Sequence, residues 1–436
     1  MSSTAPANGH GITSCYLLGY SGKRNTGADA RLVCIIGQLR EALGNDVRMT
    51  VSTMDVTATK KVLAGISNIQ FAALSPVFPF TVGWQAARHD LTVLVEGSTF
   101  KQNWSRTLLY VFLFGAWCAR LFGRRCIAYA VDAGRLSAWN ARLTRHVCES
   151  VDVLMTRTET ARESLSGIGV QNPVWTGTDP AFEFETRNDV PAVSLSGGRP
   201  VVGLAPVECY QWPVRVRLFG PAEECYHWPH YFTWNDERRA HSREAIDAWR
   251  RFIRHVLNQH DMDIALIAME ALDQQVCERI LEHMGSSARS RIRLISSREY
   301  APVELVPVLR NLDYLVTSRY HACVLSMQGS VPQLAISHDE RLASIYHELG
   351  LKRYLLNCEQ GRNAEVLIAA FDRLVDENAA IRAAIEERHE TYFLPRCRSN
   401  VDFVRLAAQT WTTSSPPVAA TGVNPASTQG VEDIST

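Results

Sequence analysis

Apolar residues in this chain gather into short runs separated by longer amphipathic stretches. The runs "SCYLLGY" (14–20), "VRMTVST" (47–53), "LTVLVEG" (91–97), "RCIAYAV" (125–131) and "VDVLMTR" (151–157) have the length of buried strands. Helical spacing appears between them, most clearly over 28–43, where Val33, Ile36, Leu39 and Leu43 share one face. The alternation resumes with strands predicted at 200–206, 262–269, 291–296, 313–318 and 331–337. Helices are predicted at 238–260, with Ile246, Trp249, Ile253 and Val256 on one face, and at 303–312, 320–327 and 339–350. Strands that alternate with helices predict βαβ units and parallel sheets.

A polar, glycine-containing stretch, "TRNDVPAVSLSGGR" (186–199), separates the two sets. The predicted fold class is therefore α/β, with two doubly wound domains at 12–190 and 200–395 facing a cleft, and a C-terminal helix at 396–412. Residues 1–11 and the Ser-, Thr-, Pro- and Gly-rich tail 413–436 bury too little apolar surface to offset their ordering entropy and are expected to be disordered. In doubly wound sheets, ligands bind beyond the carboxyl ends of strands.

Composition adds limits. The 436 residues include 45 basic and 45 acidic side chains, 46% hydrophobic and 21% charged residues, as in ordinary soluble domains. Zero net charge gives no overall reason to expect nucleic acid or an anionic membrane as partner. The 11 cysteines form no CxxC pair, and Cys15, Cys34 and Cys323 sit in apolar runs. They read as reduced core residues of a cytoplasmic protein. The start, "MSSTAPANGHG", has no signal-peptide core. The longest apolar run, 108–119, falls short of the roughly 20 residues that span a bilayer. It reads as a buried helix, with peripheral membrane contact near a lipid-linked substrate as the alternative. The histidines of "HWPH" (227–230) lack a third ligand, and no metal is expected.

The chemistry concentrates at "TSRYH" (317–321), where a predicted strand ends and a helix begins. Arg319 there can grip a carboxylate or phosphate with two parallel hydrogen bonds, and His321 can pass a proton near neutral pH. Glu96 and Asp132 also end strands and are candidate bases. Lys101 can neutralise phosphate, and Ser98 and Thr99 can donate to a ligand. Asn25, Gly27 and Asp29 form a turn before the first helix, which Asp29 could instead cap. Asp179 reads as ordering the connection between the domains. Asp339 and Arg341 open a helix, where they line the cleft or cap it. Residues 207–235 hold Trp212, Trp228, Trp234 and a basic pair, Arg215 and Arg217. This segment reads as a loop over the cleft that selects an acceptor.

The stretch 313–351, with its Arg-x-His at a strand end and the later "GSVPQLAI", resembles the polysaccharide pyruvyl transferase family. "GYSGKRNTGADARL" (19–32), "VLVEGSTFKQNW" (93–104), "YAVDAG" (129–134), "TRTETARESLSGIGV" (157–170) and "TGTDPAFEF" (176–184) are similar to further family segments, in the same order. Two departures stand out: Ala28 separates Gly27 from Asp29, and Glu96 replaces a glycine. The resemblance implies a GT-B-like pair of Rossmann-like domains. It also implies transfer of pyruvate from phosphoenolpyruvate to two hydroxyls of a sugar, glycolipid or glycosylated natural product, giving a ketal and phosphate without a cofactor. In that reading Arg319 binds the donor and His321 is the general acid. Ser98, Lys101, Asn25, Gly27, Asp29, Arg215, Arg217, Trp228 and Asp339 are substrate-binding candidates. A homo-oligomer is a further partner expectation. A nucleotide-sugar glycosyltransferase and a non-catalytic ligand-binding relative are the alternatives.

Overall fold

The structure, a computed structural model, describes residues 11–74, 78–102, 106–186 and 198–412. The expectations of disorder for 1–10 and 413–436, and most of the linker, lie outside those residues. Among the described residues, the first half builds a parallel sheet from β1 (Ser14–Ser21), β2 (Arg48–Thr53), β3 (Ile69–Ala73), β4 (Leu91–Leu94), β5 (Arg125–Val131), β6 (Val153–Thr156) and β7 (Val174–Thr176), in the order β3-β2-β1-β4-β5-β6-β7. The second half contains β8 (Val201–Ala205), then a small antiparallel sheet of β9 (Val214–Val216), β10 (Cys225–His227) and β11 (His230–Phe232). It continues with β12 (Asp263–Ala268), β13 (Ile292–Ser296), β14 (Tyr314–Thr317), β15 (Gln333–Ser337) and β16 (Leu355–Asn357). The larger C-terminal sheet is parallel, in the order β13-β12-β8-β14-β15-β16.

Both parallel sheets thus start in the middle, wind outward to one edge, and then cross to the other. This is the doubly wound order, with the switch point between β1 and β4 in one half and between β8 and β14 in the other. Strands buried on both faces must be apolar throughout. β4, β6, β8, β12 and β14 are buried along their whole length. The helix Thr26–Leu43 starts at Asn25, whose side chain accepts from the amide of Ala28, and buries Leu32, Ile35, Ile36 and Leu39.

Two local expectations change. Residues 207–235 are not a loop, because their centre pairs as β9–β11. Short strands broken by prolines and aromatics carry no alternation long enough to read. The apolar helix, Arg106–Leu121, buries Leu109, Phe112, Leu113 and Ala116, yet Tyr110, Trp117 and Leu121 face outward. The helix Leu394–Thr412 returns to the first half, where Val401, Val404 and Ala408 join its core. Asn400 there bonds both the amide and the carbonyl of Thr178.

Contact between the halves is made at the start of the first helix. The Thr26 amide donates to Met269 O at 2.9 Å, and Asn25 pairs with Glu270 as an isolated bridge. The Arg24 side chain reaches Arg298 O at 3.1 Å.

Candidate active site

Carboxyl ends of strands from both halves converge on a cleft of about 760 Å³. β1 delivers Tyr20, Lys23 and Asn25; β4 delivers Glu96 and Ser98; β6 delivers Arg157. Across the cleft, β12 delivers Glu270, β14 delivers Arg319 to His321, and β15 delivers His338 to Arg341.

The Thr317 hydroxyl accepts from the Arg319 amide at 2.8 Å and donates to its carbonyl at 3.0 Å, which fixes the turn out of β14. Arg319 then points into its own half. Its Nε donates to Asp273 Oδ2 at 2.8 Å, its Nη2 to the other oxygen of Asp273, and Glu270 lies 3.0 Å from Nη2. The two-pronged face predicted to hold a ligand is therefore occupied by a buried carboxylate. What Arg319 offers the cleft is Nη1, which bonds no protein group among the described residues. Burial pushes Asp273 up to about 6 despite the guanidinium.

His321 turns the other way. Its Nε2 lies 3.5 Å from Oδ2 of Asp179, a residue of the first half, and has no other hydrogen-bond partner among the described residues. The ring sits directly over the first turn of the first helix. A Cβ on Gly27 would lie 2.0 Å from His321 Cγ, so only glycine admits the imidazole there. Burial lowers the His321 pKa, and Asp179 partly opposes that.

Asp179 is the centre of a buried charge network. Arg157 Nη1 donates to it at 2.6 Å, and Arg31 Nε lies at 3.5 Å. It also caps a short helix by accepting from the Ala181 amide at 3.1 Å. Arg157 continues to Asp132 at 3.2 Å, and Asp132 meets Lys101 Nζ at 2.6 Å. The Arg157 guanidinium lies 4.6 Å from the centre of the Tyr320 ring, and a Cβ on Gly97 would come within 2.9 Å of Arg157 Nη1. Alternating charges buried together hold one another ionised. Burial raises the Asp179 and Asp132 pKa values, but the surrounding cations outweigh it and leave both below the ordinary range.

These contacts redistribute the predicted residues. Glu96 lines the cleft, with Oε2 accepting from the Tyr20 amide at 3.2 Å. Ser98, Asn25 and Asp339 also line it, as does Lys101 on its way to Asp132. Asp132 does not line the cleft, and a carboxylate paired with two cations is a poor proton acceptor. Gly27, Asp29 and Thr99 are likewise outside the lining. Gly27 supports His321. Asp29 is buried in the first turn rather than capping the helix, and burial with the charge of Glu270 raises it to about 7. Asp339 caps its helix and pairs with Arg341 Nε at 2.6 Å. Arg215 and Arg217 are exposed on and beside β9, away from the cleft. Trp212 does line the cleft, with its ring centre 5.5 Å from that of His338. Trp228 instead faces a separate cavity of about 220 Å³ and donates to Leu218 O.

Sequence reasoning passed over His338, Arg157, Glu270 and Asp273 as site residues. Arg157 ends a predicted strand and the others follow or nearly follow one, the same signal that marked Arg319. Both ring nitrogens of His338 are buried without a hydrogen-bond partner among the described residues, and burial lowers its pKa to about 4. Among the described residues, His255, His260 and Asp372 are close enough to share a metal ion. They lie outside the cleft, where both imidazoles meet Asp372 Oδ1 at 2.8 and 2.7 Å. No described helix is long and apolar enough to cross a membrane.

Solved structures share this architecture. A UDP-GlcNAc 2-epimerase from Neisseria meningitidis bound to UDP-GlcNAc aligns over 91% of this chain and 100% of its own, at 8% identity and a TM-score of 0.55. S. aureus MnaA with UDP aligns over 86% and 91%, at 12% identity and a TM-score of 0.55. A UDP-GlcNAc 2-epimerase from Methanocaldococcus jannaschii aligns over 82% and 92%, at 13% identity and a TM-score of 0.53. At such identities the likeness establishes the fold, two Rossmann-like domains of the GT-B type. No curated protein matches the chain in sequence. A sequence model of polysaccharide pyruvyl transferases matches residues 25–340, a span that takes in the first-helix turn, Arg157, Asp179 and the Arg319–His321 corner, and the chain belongs to that family.

Proposed function

We propose that this protein transfers pyruvate from phosphoenolpyruvate to two hydroxyls of a sugar or glycoside, forming a ketal and releasing phosphate. The observation that carries the reading is His321, held at the cleft by Asp179 and seated on Gly27 within a chain of this family. A proton from His321 to the methylene carbon of the donor makes it a methyl group and leaves an oxocarbenium-like centre. One sugar oxygen adds there; the carbon–oxygen bond to phosphate breaks, and the second sugar oxygen closes the ketal. Of the two hydroxyl protons, one restores His321 and the other leaves with phosphate. Glu96 lines the cleft and relays the second of these protons from the hydroxyl to the departing phosphate. Lys23, Arg341 and Nη1 of Arg319 supply the positive charge that a carboxylate and a phosphate require. Trp212 offers an aromatic face to the acceptor.

An imidazole whose pKa is lowered by burial is mostly neutral at pH 7. As a general acid it works through the protonated fraction, so kcat/KM falls as pH rises through that pKa, below the ordinary value of about 6.5. The test is phosphate release from phosphoenolpyruvate with a panel of glycosides, together with thermal shift. Stabilisation by phosphoenolpyruvate, and a loss of turnover of about 10²–10⁴ in His321→Ala with donor binding retained, is the expected result. Stabilisation by UDP-sugars alone, or near-normal turnover without His321, would overturn it.

A further inference from the structure

Two helices of the N-terminal domain, Phe78–Arg88 and Arg106–Leu121, turn apolar side chains outward. On the second, Tyr110, Phe114, Trp117 and Leu121 recur at helical spacing and form one stripe, and Phe122 extends it. Trp117, Leu121 and Phe122 are exposed. On the first helix, Phe80 and Trp84 lie one turn apart and are 79% and 61% exposed. The helices pack together, with the Phe114 and Phe78 ring centres 6.0 Å apart and Phe114 close to Gly83, so the stripes adjoin. The inner faces are already used: Val82, Leu109, Phe112 and Ala116 belong to the core. A contiguous outward aromatic face of this kind marks a docking surface.

Its charge indicates what docks. Neither helix contains a carboxylate, and none occurs anywhere from Gly97 to Val131, in a chain with 45 acidic residues. Arg88, Arg106, Arg120 and Arg124 are all exposed around the face, and the Arg88 guanidinium lies 5.1 Å from the centre of the Trp84 ring. Asp90, just beyond the first helix, is held by Thr13, Ser14 and Arg124. A second copy pairing through this face would set arginines against arginines with no carboxylate between them. The face is also continuous with the catalytic cleft. The neighbouring 220 Å³ cavity is lined by Phe78 and Leu108 of these helices and by Trp228, and it shares Tyr20 and Tyr226 with the cleft.

We propose that this face seats the protein on an anionic lipid surface, with the aromatic rings at the headgroup boundary and the arginines on lipid phosphates. The mouth of the cleft then lies beside the bilayer. This surface stands independently of the reaction proposed above.

The experiment is sedimentation of the full chain with phosphatidylcholine vesicles, with and without phosphatidylglycerol. Binding is expected with phosphatidylglycerol, weakened by salt, and with a blue shift in tryptophan fluorescence. The double variant Trp84→Ala/Trp117→Ala should lower partitioning about tenfold, and Arg120→Gln/Arg124→Gln should remove the preference for anionic lipid. All four side chains are exposed, and Arg124 makes only surface contacts to Asp90 and Ala87 O, so melting temperatures close to wild type are expected. Absence of vesicle binding, or binding that ignores both variants, overturns the proposal. So does a dimer, seen by light scattering, that the tryptophan variant dissociates without any lipid binding.

Discussion

Arg319 and His321 are separated by a single residue, yet the structure treats them oppositely. Arg319 turns into its own half and is clasped by Asp273 and Glu270. His321 crosses to the other half and meets Asp179, which Arg157 and Arg31 hold ionised. One corner therefore carries a closed contact within a domain and an open one between domains. A strand-end motif does not imply that both of its polar residues face the ligand; the carboxylates around each decide which does. The same contrast separates two tryptophans of the small sheet region: Trp212 faces the cleft, and Trp228 the apolar cavity next to it.

Breaking the inter-domain side should cost most. Asp179→Asn leaves Arg157 and Arg31 undercompensated in the interior, and a loss of about 3 kcal/mol in chemical denaturation is expected. Its turnover should fall as well, since His321 loses the group that orients it. Unchanged stability would mean that Asp132 alone neutralises Arg157.

Altering the intra-domain side should do less. Arg319→Lys keeps a charge near Asp273 but cannot reproduce the paired contact from Nε and Nη2. The expected result is donor affinity weakened about tenfold by calorimetry, with kcat changed far less than in His321→Ala. Equal affinity would make Arg319 a purely structural partner of Asp273.

The tryptophans give the smallest effects and the sharpest contrast. Trp212→Ala should raise the acceptor KM several-fold, about 1 kcal/mol, with donor affinity unchanged. Trp228→Ala should leave both constants alone. A rise in KM for Trp228→Ala would place the acceptor across both cavities.

Local pattern determined much of this protein. Short apolar runs such as "VDVLMTR" and "MDIALIAM" have the length and β-branched content of buried strands, and their alternation with amphipathic helices predicts parallel, doubly wound sheets. Strand ends then located Glu96, Arg319 and His321 at one cleft, because the parallel strands of each sheet finish on one side and the two sheets turn those sides toward each other. Periodicity could not reveal β9–β11, whose strands of three residues are too short to show it. Nor could it pair charges. That Asp132 belongs to Lys101 and Arg157, that Asp273 closes on Arg319, and that Gly27 exists to admit His321 are contacts between residues far apart in the chain. Charges buried together must be mutually compensated, and which partner does so is decided only when distant segments pack, within a domain for Asp132 and Asp273 and between domains for His321 and Asp179.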